Sequence, residues 1–176
     1  AVILRPSIVF GPEDQFFNRF AALAQLAPAL PLIGGGRTRF EPVYVGDVAD
    51  AILAAIDGRA KAGTVYELGG PEIVSMKEVL KRTLTYVDRR RCLLPMPFLL
   101  AKLQALATKP LPMALRPITL DQVRMLQRDT VVGTAAREDG RTLAGLGIVA
   151  PHSIEMIVPD YLQRFRVGGE FVQRRS

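Results

Sequence analysis

Few residues in this sequence could support acid–base or nucleophilic chemistry. The chain holds one histidine, His152, one cysteine, Cys92, and four tyrosines. A single histidine and a single cysteine exclude a metal site made of several imidazole or thiolate ligands, and they exclude a disulfide within the chain. His152 has no acid–base partner beside it, while Arg91 next to Cys92 can favour the thiolate. We predict structural roles for both, with Cys92 as a small buried thiol.

A run of three glycines is the other feature with chemical potential. Gly34–Gly36 could bring backbone N–H groups close to a phosphate. No Lys-Ser or Lys-Thr pair follows, although a P-loop requires one. The sequence therefore favours a plain tight turn at this position.

Length and composition indicate a globular protein of about one domain. The chain has 176 residues, of which 49% are hydrophobic and 23% are charged. No apolar run reaches the roughly 18 residues that a membrane-spanning helix needs. The net charge of +6 is uneven, since residues 1–88 carry nine basic and ten acidic side chains and residues 89–176 carry fourteen and seven. A basic half could face nucleic acid, an anionic membrane or an acidic partner, and the lack of interleaved aromatic residues argues against nucleic acid.

The first half alternates strands and helices. The apolar run Ala1–Leu4 predicts a buried strand, and because buried parallel strands need neighbours on both sides we expect strands upstream of residue 1. The alternative is a short edge strand. Five further elements carry cap or turn signals. They are an Asp14-capped helix to about Ala27, an extended segment over 40–45 containing Pro42, an Asp47-capped helix closed by Gly58, a strand over 64–68, and a helix with a Ser75/Glu78 capping box.

The second half is predicted to be mainly helical. Its elements are helices over Phe98–Ala107 and Thr119–Leu126, a loop over 131–140, a short helix over 143–147, and a Ser153-capped helix from Ile154 to about Phe165 that contains Pro159. An apolar, proline-rich connector covers 109–117. Strand–helix alternation is typical of an α/β layered fold. We therefore predict an α/β part over 1–88 and a mainly helical C-terminal lobe over 89–176.

Three segments of the first half resemble a known family. Leu4–Pro12, Pro42–Ala51 and Tyr66–Gly70 are similar, in order and spacing, to strand and turn signatures of extended and atypical short-chain dehydrogenases/reductases, the epimerase/dehydratase group. In the second half, Leu120–Leu126 and Ile154–Leu162 resemble one subgroup. That subgroup contains the dehydrogenase-like accessory subunit of respiratory complex I and its bacterial relatives.

The resemblance implies the C-terminal portion of a Rossmann-like doubly wound fold, with the N-terminal dinucleotide-binding half absent. No Gly-x-x-Gly-x-x-Gly turn opens the chain. The family's acid–base pair is Tyr-x-x-x-Lys, and no tyrosine here has a lysine four residues on. We therefore expect NAD(P) in the full-length protein, and neither a bound cofactor nor redox activity in this chain alone. No residue is assigned a catalytic or metal-binding role.

By resemblance, six residues lie where the family contacts its ligands. Pro6, Ser7, Ile8 and Val9 would approach the nicotinamide end of the cofactor, although the same residues also suit a plain strand end. Arg39 is a candidate for holding a substrate phosphate. It lies one residue before the family's usual position, and this offset favours a solvated charge. Tyr44 replaces the family's common histidine and is a candidate for lining the substrate cleft, or else a half-buried strand tyrosine.

The predicted partner surface lies in the basic second half, over residues 89–117. Apolar residues framed by Arg89–Arg91, Lys109 and Arg116 suit either a respiratory complex or a membrane surface, and equally the core of the C-terminal lobe. The resemblance implies a structural or assembly role at the inner membrane, on the cytoplasmic side, or on the matrix side if the organism is a eukaryote. The alternative is an active NAD(P)-dependent oxidoreductase or epimerase/dehydratase acting on a small or nucleotide-linked substrate. No nucleic-acid partner is expected.

Overall fold

The computed structural model describes residues 1–108 and 120–166. In this part of the chain, eight short strands and seven α-helices follow one another. The strands are β1 (Ile3–Pro6), β2 (Val9–Phe10), β3 (Ala29–Ile33), β4 (Arg39–Phe40), β5 (Val43–Tyr44), β6 (Val65–Leu68), β7 (Val74–Ser75) and β8 (Cys92–Met96). The helices are α1 (Phe17–Leu26), α2 (Val45–Ile56), α3 (Met76–Tyr86), α4 (Phe98–Ala107), α5 (Leu120–Met125), α6 (Thr134–Glu138) and α7 (Ile154–Leu162).

The chain forms two compact units, each assembled from separate segments. The first unit contains residues 1–18, 40–74 and 130–162. The second contains residues 19–39, 75–129 and 163–176. The boundary after residue 88 that the sequence suggests does not coincide with the limits of either unit, and it remains a prediction.

The first unit contains parallel strand pairs and the helices α2, α6 and α7. β1 pairs with β6 from Ile3 opposite Val65 to Pro6 opposite Leu68, and β2 pairs with β5. Parallel pairing with helices between the strands is the arrangement of α/β proteins. The core that these elements share consists of Val43, Ala51, Ala54, Tyr66, Leu68, Leu143 and Leu146. The predicted α/β class is therefore confirmed.

The exposure of β1 differs from the buried strand that its apolar sequence predicts. Ile3 is 54% exposed. Among residues 1–108 and 120–166, β6 is the only strand that pairs with β1. A parallel strand is covered only when it has neighbours on both sides, so an apolar run with a single neighbour leaves side chains in solvent.

The second unit contains a parallel pair that the sequence analysis missed. β3 pairs with β8, with Pro31 opposite Leu94 and Leu32 opposite Pro95. Each strand contains a proline, which has no N–H for the ladder and argues against a strand in any sequence reading. Helix α3 begins as predicted, since Ser75 and Glu78 form a complete capping box.

Several local predictions require correction. Residues Thr134–Glu138 form helix α6 within the segment predicted to be a loop. Helix α2 begins at Val45 with Tyr44 as its N-cap, so Asp47 lies in the first turn and is not the cap. Cys92 is exposed and not buried. The predicted cap Thr119 and the connector over 109–117 lie outside the described residues.

Helix α7 follows its prediction closely. It begins at Ile154, contains Pro159, and passes into a 3-10 turn over Gln163–Phe165. Among the helices of the described part, none is long and apolar enough to cross a membrane.

Candidate functional site

The predicted cofactor contacts run from Pro6, the last residue of β1, to Val9, the first residue of β2, at the carboxyl end of the β1–β6 pairing. The Ser7 backbone N–H donates to the Leu68 carbonyl at 2.9 Å, and the Ser7 hydroxyl donates to the Thr130 carbonyl at 2.6 Å. The Ile8 carbonyl accepts from the Val43 N–H at 2.9 Å. Both Ser7 donors are thus used within the protein. Contact with a ligand would come from other atoms of Pro6, Ser7, Ile8 and Val9.

A cavity of about 570 Å³ adjoins this segment in the first unit. Its lining residues are Val9, Phe10, Gly11, Pro12, Glu13, Asp14, Gln15 and Val45. Gly11 is required at the wall, because an added Cβ would lie 2.8 Å from Cγ1 of Val45. The cavity is large enough for one end of a cofactor or for a small substrate.

The Asp14 carboxylate in the wall of this cavity has four hydrogen-bond donors. Oδ1 accepts from the N–H groups of Phe16 and Asn18 at 2.9 and 3.2 Å. Oδ2 accepts from the Tyr161 hydroxyl at 2.5 Å and from the Gly11 N–H at 3.3 Å. A carboxylate satisfied in this way stabilises the loop and the start of α1, and it is poorly suited to move a proton in catalysis.

Asp47, His152 and Tyr44 form a second cluster in the first unit. The Asp47 carboxylate, with its side chain 2% exposed, lies 2.7 Å from Nδ1 of His152 and accepts from the His152 backbone N–H at 2.8 Å. The Tyr44 ring lies 5.1 Å from the imidazole ring. Gly46 leaves room for that tyrosine, since an added Cβ would lie 2.5 Å from Cε1 of Tyr44.

The carboxylate orients the imidazole. Oδ1 of Asp47 lies 2.7 Å from Nδ1 of His152, which favours the hydrogen on Nδ1. The sequence contains both residues, but 105 positions separate them and no motif joins them. The local helix-start pattern identified Asp47 only as a cap, and the tertiary fold brings its partner His152 beside it.

Arg39, the predicted anion-binding residue, is paired within the second unit. Its backbone N–H and Nε each donate to the Asp129 carboxylate at 2.9 Å, and NH2 lies 2.9 Å from Oδ2. These bonds, the backbone one first and the side-chain one second, lower the pKa of the Asp129 carboxyl below its ordinary value. An arginine engaged in this way has less of its guanidinium available for a phosphate.

Two buried or half-buried glutamates fix the segment that follows Thr130. Oε2 of Glu41 accepts from the Val132 N–H at 2.9 Å and from the Arg137 guanidinium at 2.6 Å. Oε2 of Glu67 accepts from the Gly133 N–H at 2.8 Å. The sequence does not predict these contacts, because the prediction of a loop over 131–140 does not indicate which carboxylates accept hydrogen bonds from the N–H groups of that loop.

Three arginines of the second unit donate to backbone carbonyls. Nε of Arg89 donates to Phe165 at 3.4 Å, Nε of Arg91 to Ala24 at 2.9 Å, and Nε of Arg166 to Tyr86 at 2.7 Å. Within residues 1–108 and 120–166, none of these three has a carboxylate partner. We call Arg89, Arg91 and Arg166 the arginine patch. Backbone carbonyls hold its guanidinium groups in place.

Comparison with known proteins supports the resemblance. The sequence model of the NAD dependent epimerase/dehydratase family matches residues 1–69. This part of the chain is similar to that family. The matched range contains the signatures Leu4–Pro12 and Pro42–Ala51, so the resemblance to short-chain dehydrogenases/reductases is confirmed.

Relatives extend the similarity through the second half. The chain is 35% identical to the protein named NADH dehydrogenase (ubiquinone) 1 alpha subcomplex subunit 9, mitochondrial, of Arabidopsis thaliana, over 96% of this chain and 43% of that protein. It is 34% identical over 98 residues to the Mus musculus protein of the same name, covering 55% of this chain and 26% of that protein. The chain therefore spans less than half the length of these relatives. The predicted similarity to the complex I subgroup is confirmed.

Solved structures show the fold. A dTDP-glucose 4,6-dehydratase from Streptomyces venezuelae, solved with NAD and TYD, matches with a TM-score of 0.61 and 17% identity over 93% of this chain and 42% of that chain. The UDP-glucose 4-epimerase of Thermus thermophilus, solved with NAD, matches with a TM-score of 0.53 and 20% identity over 92% of this chain and 46% of that chain. The partial Rossmann-like α/β fold is thereby confirmed.

Proposed function

We propose that this chain is part of a short-chain dehydrogenase-like accessory subunit of respiratory complex I, with a structural or assembly role. The observation that carries the proposal is the 35% identity over 96% of the chain to a relative named as a subunit of NADH dehydrogenase. The chemistry of the described residues agrees with a binding role. The Asp14 carboxylate in the cavity is saturated with donors and so is better suited to holding the loop than to moving a proton.

In the whole protein, NAD(P) would stabilise the subunit, and Pro6–Val9 would contact it. This segment would contact the cofactor through apolar atoms, since Val9 lines the cavity of about 570 Å³ and both hydrogen-bond donors of Ser7 are already used within the protein. Apolar walls with few polar groups are typical of ligand cavities. Tyr44 and Arg39 remain proposals for substrate or anion contacts, and Arg39 would have to give up part of its pairing with Asp129.

The arginine patch is the proposed docking surface. Fixed guanidinium groups without carboxylate partners in the described chain attract an acidic protein surface at long range and pair with its carboxylates at contact. The patch begins at Arg89, inside the range 89–117 that the sequence predicts, and it adds Arg166 from the end of the described chain. A subunit docked in this way would be peripheral to the membrane that holds the respiratory complex.

The test is comigration with the complex in the organism's own membranes. We would express the full-length protein with an affinity tag and separate detergent-solubilised membranes on a native gel stained for NADH dehydrogenase activity. We expect the tag in the band of complex I. Changing Arg89, Arg91 and Arg166 together to Glu should remove most of the tag from that band, while the same change at the exposed Arg37, Arg59 and Arg124 should not.

Migration of the tagged protein apart from complex I would contradict the proposal. If the tagged protein migrates alone and the purified protein turns over NAD(P)H with a small carbonyl or nucleotide-linked substrate, it is an enzyme and the proposal fails. If it migrates alone without such turnover, the proposal fails as well.

A further inference from the structure

The second unit contains a cavity that the proposed function does not use. Its volume is about 260 Å³. The residues that line it are Leu23, Ala27, Ala29, Leu30, Pro31, Leu94, Met96 and Gln104. They come from the end of α1 and the connection after it, from the pair β3–β8, and from α4. Seven of the eight side chains are apolar, so water gains little by entering.

Gln104 is the exception in this wall. Its Oε1 atom is buried and has no hydrogen-bond partner among the described residues. A buried amide oxygen without a donor is costly, because it has lost its hydrogen bonds to water and gained none in return. A water molecule would not repair this well, since ordered buried waters need two to four polar partners and Gln104 is the only polar side chain among the lining residues.

The geometry points to a binding site for a small, uncharged, mostly apolar molecule that carries one hydrogen-bond donor, such as an aliphatic alcohol. The donor would bond to Oε1 of Gln104, and the hydrocarbon part would lie against Leu30, Leu94 and Met96. An engineered apolar cavity of about 150 Å³ binds benzene, so a cavity of this size accepts a somewhat larger ligand. None of the lining side chains is charged, which excludes an ionic ligand.

The cavity also has an entrance. Leu94 lines it and is 57% exposed, so a ligand can reach the interior past that side chain. This inference rests on the cavity and on Gln104 alone. It does not depend on whether the chain docks onto a respiratory complex.

Two isomeric probes test the donor directly. 1-Hexanol and methyl pentyl ether have the same atoms and nearly the same shape, but only the alcohol has an O–H. We would titrate each into the full chain and follow backbone amide shifts by NMR. We expect saturable binding with shifts at Leu30, Leu94 and Gln104, and an affinity at least about five-fold higher for the alcohol, as one added hydrogen bond provides.

Three variants assign the preference to this cavity. Gln104→Leu should reduce the alcohol-to-ether ratio to about one, whereas Gln127→Leu, the same change at an exposed glutamine, should leave it unchanged. Ala27→Leu adds side-chain volume at the wall while keeping Gln104 in the sequence, and it should abolish binding of both probes. Absence of saturable binding, equal affinity for the two isomers in the unaltered chain, or a preference that survives Gln104→Leu would overturn the proposal.

Discussion

Asp47 lies in the first turn of α2 with its carboxylate almost wholly buried and bonded twice to His152. Two features stabilise the charge there. The helix N-terminus favours an anion, and the two donors from residue 152 replace the water that the carboxylate has lost. Because His152 lies just before the start of α7, the pair fixes that part of the first unit to α2.

Asp47→Ala should therefore cost far more stability than the loss of an exposed aspartate from the first turn of a helix. We expect a loss of about 3 kcal/mol in the free energy of unfolding, because the N–H of His152 is left without an acceptor. His152→Ala should cost about 1 kcal/mol, since the backbone bond remains and the imidazole is partly exposed. Urea unfolding followed by circular dichroism measures both. The matched control is Asp50→Ala, an exposed aspartate of the same helix, and a similar loss there would contradict the prediction.

The pairing of Arg39 with Asp129 has a defined pH dependence. The pKa of the Asp129 carboxyl is lowered by the backbone and side-chain bonds from Arg39. A carboxyl whose pKa is lower in the folded state stabilises the fold above its unfolded pKa, and this contribution is lost as the pH falls through the folded value. Arg39→Ala should raise the pKa of Asp129 part of the way, because the backbone bond remains.

Carboxyl titration by NMR measures this shift. Arg37→Ala, at an exposed arginine two residues earlier, should leave the pKa of Asp129 unchanged. At neutral pH we expect Arg39→Ala to cost only about 0.5 kcal/mol, since the ion pair is largely exposed. The difference in stability should vanish at acid pH, below the folded pKa of Asp129. A pKa that does not move in Arg39→Ala would contradict the assignment.

Site residues were only partly predictable from the sequence. The family signatures predict ligand contacts by Pro6–Val9 and Tyr44 from the order of the motifs along the chain, and these contacts remain predictions. Partners such as His152 for Asp47, or Asp129 for Arg39, lie about 90 to 105 residues away. Hydrogen bonds over such separations depend on the tertiary fold, and a single sequence carries no local pattern for them.

At the scale of elements, the turn Gly34–Gly36 is held by packing. All three glycines have positive φ, at 60°, 70° and 68°. The hydrogen at Gly34 faces the ring of Phe98 at the start of α4, while open space surrounds Gly35. The triple glycine thus lets the end of β3 turn closely against α4. This agrees with the plain tight turn that the sequence favours.

Alanine at these two glycines should give unequal losses of stability. Gly35→Ala should cost about 1 kcal/mol, the penalty of left-handed backbone for a residue with a Cβ. Gly34→Ala should cost about 3 kcal/mol, because its Cβ also collides with Phe98. Thermal unfolding provides the comparison. When Gly34→Ala is added to Phe98→Ala, its extra loss of stability relative to Phe98→Ala alone should fall toward the loss in Gly35→Ala. Equal losses for Gly34→Ala and Gly35→Ala in the otherwise unaltered chain would refute the packing argument.

Helices with local signals were largely predictable, and the strands β3 and β8 were not. The capping box and the apolar periodicity are local signals, so the start of α3 and the approximate range of α2 were predicted. β3 and β8 pair despite Pro31 and Pro95, because tertiary packing outweighs local propensity. Helix α6 is only five residues long, and so short a helix leaves no periodic pattern.

For the whole molecule, the uneven distribution of charge determines which surfaces the protein attracts. The second half of the sequence carries the entire basic excess, and the arginine patch holds part of it without carboxylate partners in the described chain. The positive charge of these half-buried guanidinium groups acts over about a Debye length and is weakened by salt. Its effect can be measured with any anionic surface, before a protein partner is isolated.

We therefore predict salt-sensitive binding to anionic vesicles. The chain should sediment with phosphatidylglycerol vesicles at low ionic strength, much less at high ionic strength, and hardly at all with phosphatidylcholine vesicles. Changing Arg89, Arg91 and Arg166 to Glu should remove most of the binding, while Glu at Arg37, Arg59 and Arg124 should reduce it less. Equal binding to both lipids, or to neither, would show that the patch does not act as an electrostatic surface.

The interleaving of the two units also governs how the chain can fold. The first unit needs residues 130–162 and the second needs residues 19–39, so neither half made by dividing the chain after residue 88 contains a complete unit. Contacts between such distant segments form slowly, because long loops must close first. During synthesis the first unit cannot be completed before Leu162 has left the ribosome. Until then the apolar faces of β1 and α2 depend on chaperones or on the speed of elongation for protection from aggregation.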